Sequence, residues 1–550
     1  MLKLATLIEN PGEPEVQTRY QDPAELKALG YNGLVIYEST ALSGVKNLDS
    51  ITSDELRRWV GARADHISQT IHNAQAAGLS VYLSYDALVL PTHEVDRNVT
   101  GLCCKGKPTT LCPASDQALE LSAAALEAVL HRWPSIDGIV FRFGDTDAQR
   151  LPHLVGNDIY SPHCPRCSQF GRAERALAFI QRMHRLVVDG HNKRLIVRAW
   201  NVRPNGMHDV PELAGRIAAD LPGDPKDDRL VLSFKFTQTD FWRYQRWNPS
   251  SLVCGDRPIM YELQCQREFE GKGGVPNWQA PLWRDGCPEM SQLDGEVHGL
   301  AEAAGRVNLV GLWAWVRGGG WGGPFVKNEQ WIDANVYAVP HLADDPRADT
   351  HKLAEQWARD RLGLDDDSVG HLVRLMEDSP AFIRQAFYIG PFATGRANPW
   401  HPNADWVQDD LLDTYAAWRI IQKLNDTQLD ELIQEKEAAA AAIGRHRAAL
   451  QQAASDRRHR ELQPLVNSLL YAESFFEALR DLVSGLVSYR RYQKSGEGAL
   501  ADVVRQKLFA AQDHWNHHTQ RFGSLPGAAT AFRENNFWDV TQDIIAKVDG

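Results

Sequence analysis

No apolar run in this 550-residue sequence is long enough to cross a bilayer, so a membrane-spanning class is not expected. There is no block of Lys or Arg, and the formal net charge is −12 at pH 7. Both features argue against nucleic acid and against an anionic membrane surface as partners. Cysteine is sparse, and eight in so long a chain give no disulfide framework. The opening, MLKLATLIENPGEPEV, carries one lysine and a short apolar run before a Pro/Glu-rich turn. It makes a poor signal peptide and a good first strand. A soluble cytoplasmic protein is therefore expected. The remaining composition, 43% hydrophobic and 24% charged, is ordinary for a globular protein. The chain is too long for one core, so at least two domains are expected.

Eight strand-like runs recur along the first part: Leu2–Glu9, Leu34–Ser39, Val81–Asp86, Gly138–Gly144, Leu195–Asn201, Leu230–Phe236, Ile259–Cys265 and Leu309–Val316. Between them, Pro23–Leu29, Asp54–Ala77, Ala118–Arg132, Arg172–Asp189, Pro211–Ala219 and Met290–Gly305 carry apolar residues at helical spacing. Alternation of this kind predicts an α/β fold with a parallel sheet, and eight repeats predict a (β/α)8 TIM barrel over 1–345. Two long gaps, Leu88–Ser115 and Asp145–Phe170, should carry elaborated loops. After about Pro346 the strands stop. Thr350–Leu362, Ser368–Asp378, Trp406–Leu424, Leu429–Arg447, Arg460–Leu486 and Ala499–Phe522 are helical in pattern, so 346–550 reads as an all-helical domain. The Gly/Pro/Trp-rich stretch Gly390–Trp406 either reaches over the barrel mouth or is a surface connection.

A parallel barrel builds its active site from the loops at the C-terminal ends of its strands. Two such loops each hold a carboxylate just past a strand end: Thr239-Asp240-Phe241, and Arg267-Glu268-Phe269-Glu270-Gly271 after Glu262-Leu263-Gln264. These motifs resemble the α-glucuronidases of glycoside hydrolase family 67, in which an Ile-Asp-Phe follows one strand and a Glu-Phe-Gln…Gln-Glu-Tyr…Gly motif closes the next. The interval from Asp240 to Glu268 fits that pattern without a gap. Gly30–Ile36, Gly78–Ser84 and Trp331–Ala338 are similar to its early strands and its barrel exit, so the resemblance covers roughly residues 25–345. The family's N-terminal accessory domain has no counterpart, and the chain is expected to start on the barrel.

The resemblance implies an inverting hydrolase in which Asp240 and Glu268, in solvent-facing loops, activate water. The bland alternative makes Asp240 a turn cap and Glu268 a loop ion pair. The family's acid is a glutamate in a Ser-Glu-Gly-Gln loop after the fourth strand. Here that place reads Phe143-Gly144-Asp145-Thr146-Asp147, so Asp145 is the expected acid and Asp147 its neighbour. Aspartate is one methylene shorter, which leaves the bond cleaved open. Arg142 stands at a family lysine and Arg198 at a family arginine; such cations meet the sugar's carboxylate there, and a guanidinium fork suits that ligand. Each could instead neutralise the carboxylates. Lys235 is a further cation, Glu262 a candidate for orienting other groups, and Trp200, Trp242 and Trp315 are candidate stacking faces for a sugar ring.

His163-Cys164-Pro165-Arg166-Cys167 holds a CxxC, and Cys103, Cys104 and Cys112 lie in the earlier long loop. Two ligands from each loop would make a structural zinc site, with Cys164 and Cys167 partnered among Cys103, Cys104, Cys112 and His163. Unligated thiols and redox work are the alternatives, and no cofactor is expected in catalysis. The Gly-rich run 318–323 lacks the helix start of a nucleotide-binding loop. The resulting expectation is an exo-acting glycoside hydrolase that removes an α-linked sugar, with a uronic acid such as glucuronic acid the candidate, from an oligosaccharide, and a homodimer formed through the helical domain. A neutral-sugar hydrolase and a non-catalytic carbohydrate-binding barrel are its rivals. Arg142 and Arg198 facing the pocket would favour a uronic acid; both buried in ion pairs would favour a neutral sugar.

Overall fold

Strand β1, Leu2–Ile8, closes the sheet by pairing in parallel with both the last barrel strand and the second. The computed structural model describes residues 1–8, 17–37, 53–143, 154–291, 297–318, 329–394, 406, 412–455, 462–522 and 537–549. The other strands are β2 (Gly33–Ile36), β3 (Ser80–Asp86), β4 (Gly138–Arg142), β5 (Arg194–Arg198), β6 (Leu230–Lys235), β7 (Pro258–Gln264) and β8 (Asn308–Gly318). Their order around the closed barrel is β1-β8-β7-β6-β5-β4-β3-β2, all parallel. Every residue of β4, β6 and β7 is buried, as strands covered on both faces must be. At the rim β8 ends on Gly318, whose φ is +82°. A Cβ there would collide with the Ile8 carbonyl oxygen, so only glycine lets β8 close against β1.

All eight expected strands are present, within a few residues at their ends. The crossover helices are α1 (Pro23–Ala28), α2 (Asp54–Ala76), α3 (Asp116–Arg132), α4 (Arg172–His184), α5 (Pro211–Asp220), α6 (Ala280–Asp285), α7 (Leu300–Ala303) and α8 (Gln330–Asp344). Side-chain caps start several of them: Asp22 accepts from Ala24 N–H, Ser53 from Leu56 N–H and Ser115 from Ala118 N–H. The expected helix Met290–Gly305 is reduced to α7 among the described residues. Between β6 and β7 the crossover is only a 3-10 turn, Ser250–Val253, because the aromatic-rich segment before it has no helical period.

The two long gaps carry small structures that meet. Val89–Pro91 pairs antiparallel with Leu154–Gly156, and Cys103–Cys104 forms a hairpin with Lys107–Leu111. Beyond the barrel come α9 (Thr350–Leu362), α10 (Asp366–Phe387), α11 (Thr414–Ile421), α12 (Asp426–Ala454), α13 (Gln463–Ser495), α14 (Gly498–Phe522) and α15 (Phe537–Asp549). Helix α10 runs through Pro380, where the sequence pattern had suggested an end, and α15 was not anticipated. Of the Gly390–Trp406 stretch, 395–405 lie outside the described residues. Among the described residues no helix is long and apolar enough to cross a membrane.

The helices are bolted to the barrel through buried polar contacts. Asp333 of α8 takes Tyr20 Oη at 2.8 Å, Trp357 Nε1 at 2.9 Å and Arg361 Nη2 at 2.9 Å. Trp331 Nε1 donates to Ser468 Oγ at 2.8 Å, and Ser379 Oγ accepts from Trp278 N–H at 2.9 Å. These contacts place α10 and α13 against the C-terminal side of β7 and β8, where the candidate site lies.

Candidate active site

Register decides which side chains share the mouth of the barrel. Asp86 is registered with Arg142, Arg142 with Arg198, and Arg198 with Ser233. Lys235 is registered with Glu262, Glu262 with Trp313, and Gln264 with Trp315. Registered neighbours in a pleated sheet project to the same side, so the last turns of β3 to β8 ring the mouth with polar and aromatic groups. Tyr37, just past β2, reaches the far wall: Arg198 Nη1 donates to its Oη at 3.1 Å, and the Arg142 guanidinium lies 4.2 Å from its ring centre.

Charge in this ring is paired. Arg142 grips Asp86 through Nε at 2.7 Å and Nη2 at 2.9 Å, with both side chains at most 2% exposed. Arg198 Nε lies 3.1 and 3.0 Å from the two oxygens of Glu262, and Ser233 Oγ donates to Glu262 Oε1 at 3.0 Å. Neither member of that second pair has any exposed surface. Both arginines were expected to meet a sugar carboxylate, and here each is instead engaged with a carboxylate of the barrel itself. The physical reason is desolvation: a guanidinium buried to this degree needs an anion within contact.

Lys235 sits differently. Its ammonium is 2.5 Å from Asp240 Oδ1 and lies 3.8, 4.5 and 5.1 Å from the ring centres of Trp200, Phe241 and Trp315. Phe241 N–H also donates to Asp240 Oδ1, at 2.7 Å. Two donors on one oxygen fix the orientation of a carboxylate that remains 22% exposed.

Glu268 lies in the neighbouring loop, and stacking joins the two: Trp242, two residues after Asp240, lies on Phe269 with ring centres 3.6 Å apart and planes at 13°. Gln264 Oε1, at the end of β7, accepts from Glu268 N–H at 2.9 Å. Arg267 has φ +57°, an uncommon left-handed setting for a residue with a side chain, and it turns the chain immediately before Glu268. Its guanidinium is held by Glu270 at 2.9 Å, and Glu270 also takes Tyr388 Oη of the helical region at 2.9 Å. Burial alone would raise the Glu270 carboxyl, but the Arg267 and Arg243 guanidiniums outweigh it and hold it below the usual range. Glu268 was expected in a solvent-facing loop; it is only 5% exposed, because α10 and the Trp242–Phe269 stack cover that loop. Asp145 and Asp147 lie outside the described residues.

Behind Asp240, His208 is fully buried against Trp200, and its Nε2 lies 3.2 and 3.0 Å from the carbonyl oxygens of Thr237 and Thr239. Two carbonyls call for a donor, so the neutral ring carries its proton on Nε2. Asn248 Nδ2 donates to the same Thr237 oxygen at 3.1 Å. Burial, and then the Lys235 ammonium, lower the His208 value to about 3 from its ordinary 6.5. As pH falls through 6.5 the unfolded chain takes up a proton that the folded ring refuses until about pH 3. This contribution to stability is therefore complete above pH 6.5 and is lost progressively between 6.5 and 3. Denaturant melts of the wild type and His208→Gln at pH 7 and pH 5 should show the wild type losing more, by up to about 1.4 kcal/mol per pH unit. Equal losses would remove His208 from the account.

Tyr37, Asp86, Ser233, His208 and the Arg267–Glu270–Tyr388 set escaped the sequence reading. Only Asp86, a lone carboxylate on the last residue of a strand, carried a usable signal. Away from the mouth, the sulfurs of Cys164 and Cys167 come together with those of Cys104 and Cys112, all within 4.8 Å of one another. Cys103 turns away, its Sγ toward the Pro108 carbonyl oxygen at 3.1 Å, and His163 is not in the cluster.

No protein-family model matches the chain. It is 25% identical over 177 residues to the α-glucuronidase A of Emericella nidulans, covering 30% of this chain and 20% of that protein. It is 27% identical over 178 residues to the α-glucuronidase of Hypocrea jecorina, covering 28% and 19%. The matched stretch thus spans about a fifth of the curated relatives' length. Similarity to α-glucuronidases, read above from motifs, is present over part of the chain. Among solved structures, a GH138 enzyme targeting pectin rhamnogalacturonan II superposes over all of this chain and 83% of its own, with TM-score 0.58 at 11% identity. The barrel with its helical C-terminal region is therefore a fold shared with a known carbohydrate-active enzyme.

Proposed function

We propose that this chain is a glycoside hydrolase that removes an α-linked sugar, a uronic acid of the glucuronic type, from the end of an oligosaccharide by single displacement. The observation that carries the reading is the placement of Asp240 and Glu268 in two stacked loops at the C-terminal mouth of the barrel. One of these two carboxylates activates water, and Asp145, in the loop after β4, protonates the leaving oxygen. Trp200 and Trp315 provide faces for the sugar. Lys235 is the cation for its carboxylate, because Arg142 and Arg198 are committed to Asp86 and Glu262. Similarity to proteins named α-glucuronidase supports the uronic acid. The same reading takes 1–345 as the catalytic domain, 346–550 as a supporting helical domain that forms a homodimer, and the cytoplasm as the place of action.

A neutral sugar is the second reading, favoured by the same two buried arginine pairs. The test is a panel of α-linked uronides and neutral glycosides, with proton NMR of the first-formed sugar. The expected result is turnover of an α-uronide with release of the β anomer, since water attacks opposite the leaving group. Turnover of neutral glycosides alone transfers the assignment to the second reading. Release of the α anomer would mean a covalent intermediate and would remove the water-activating roles of Asp240 and Glu268. Binding without turnover across the panel would leave a carbohydrate-binding barrel.

A further inference from the structure

We propose that Cys104, Cys112, Cys164 and Cys167 bind one zinc ion as a tetrathiolate, and that this ion fastens the insertion after β3 to the insertion after β4. The four residues arrive as two pairs. Cys104 and Cys112 flank the hairpin arm Lys107–Leu111, and Cys164 and Cys167 bracket the turn Pro165-Arg166. All four are buried, and they form a cluster of their own, apart from the main apolar core, with Ala114 beside it. Packing of apolar side chains therefore does not account for the convergence.

Spacing is the strongest argument. Zinc–thiolate bonds of about 2.3 Å in a tetrahedron place the sulfurs about 3.8 Å apart. Here Cys112 Sγ lies 3.8 Å from Cys164 Sγ, Cys104 Sγ 4.0 Å from Cys167 Sγ, and Cys164 Sγ 3.6 Å from Cys167 Sγ. A disulfide needs its sulfurs at about 2.05 Å, so none of these contacts is one.

The surroundings suit negative sulfur. His163 N–H and Cys164 N–H point at Cys167 Sγ, at 3.0 and 3.2 Å. Arg166 Nε is 3.2 Å from Cys112 Sγ, and its other nitrogens hold the Gly101 and Cys103 carbonyl oxygens at 3.2 and 3.0 Å. A tetrathiolate zinc carries two net negative charges, and one guanidinium with two backbone donors offsets part of them. The donor set is all sulfur and closed, which is the arrangement of a structural site and leaves no position for substrate.

The ion would complete a brace. Asn157 Nδ2 donates to the Leu111 carbonyl at 2.6 Å, and the short strands Val89–Pro91 and Leu154–Gly156 pair nearby. Arg175 of α4 holds the Cys167 and Ile159 carbonyls at 3.0 and 2.9 Å. The loop after β4 thus returns to the barrel along a leg that the metal pins. The zinc site stands independently of the proposed hydrolase.

Full-length protein purified without chelator and analysed for metals should contain one zinc per chain. Cobalt(II) in its place should give strong thiolate-to-metal charge-transfer bands with tetrahedral d–d absorption. Cys164→Ser/Cys167→Ser should lose the metal and melt earlier, while Cys103→Ser and Cys254→Ser keep it. If the double variant does not fold, mercurial titration of the wild type should release the zinc in step with four thiols. Protein free of metal, iron with visible colour in place of zinc, zinc retained by the double variant, or zinc released without thiol modification would each overturn the proposal. None of these readouts depends on turnover, so failure of the hydrolase reading leaves them intact.

Discussion

Asp240→Asn is expected to lower kcat by about 10²–10⁴, the usual cost of removing an acid or base, and Glu268→Gln to do the same. The two substitutions keep shape and remove charge, so a loss of this size reports chemistry if the protein remains folded. Folding has to be checked separately because the two sites differ. Asp240 is the carboxylate beside the Lys235 ammonium, whose own side chain is 2% exposed. Asn keeps an acceptor there but not the charge, and the Trp200, Phe241 and Trp315 faces provide part of the remaining stabilisation of the cation. Glu268 is the more buried of the two, yet its backbone is held by Gln264 and by the Arg267 turn, neither of which needs its carboxylate. Circular dichroism spectra matching the wild type, with the rate loss, would support both roles. Wild-type turnover by folded Asp240→Asn would remove it from the mechanism.

The barrel was legible because each strand is a short apolar run bounded by turn residues, and eight such runs alternating with helical segments fit one closed sheet. Asp240 and Glu268 were legible because each is a carboxylate just past a strand end. Their surroundings were not. That Arg142 meets Asp86 and Arg198 meets Glu262 follows from register across the barrel, which links residues 56 and 64 apart in the chain. No local pattern encodes that. Cys103 and Cys104 show the same limit at smaller scale. Successive strand residues point to opposite faces, so only one of the two can join Cys164 and Cys167, and composition does not say which. Pro380 misled because a proline usually ends a helix, whereas here α10 continues through it under cover of α12 and α13.

Arg198→Met is expected to destabilise the fold by about 3–5 kcal/mol, because it leaves Glu262 buried without its counter-charge. Neither side chain has exposed surface, so water cannot replace the missing guanidinium. Ser233 Oγ would remain as a donor to Glu262 Oε1, but a neutral hydroxyl offsets only part of a buried charge. Glu262→Gln should cost a comparable amount from the other side, since Arg198 would keep Tyr37 Oη but lose its anion. The double variant Arg198→Met/Glu262→Leu should recover much of the loss, because replacing a whole buried pair with apolar groups is often near neutral. Chemical denaturation of the three variants gives the coupling directly. The contrast with a substrate-facing arginine is sharp. If Arg198 chiefly served a sugar carboxylate, Arg198→Met would leave stability within about 0.5 kcal/mol, the range typical of surface changes, and raise KM for uronides alone. A large stability loss shared by both single variants and relieved in the double would make Arg198 part of the barrel's wall, leaving Lys235 as the cation that faces the sugar.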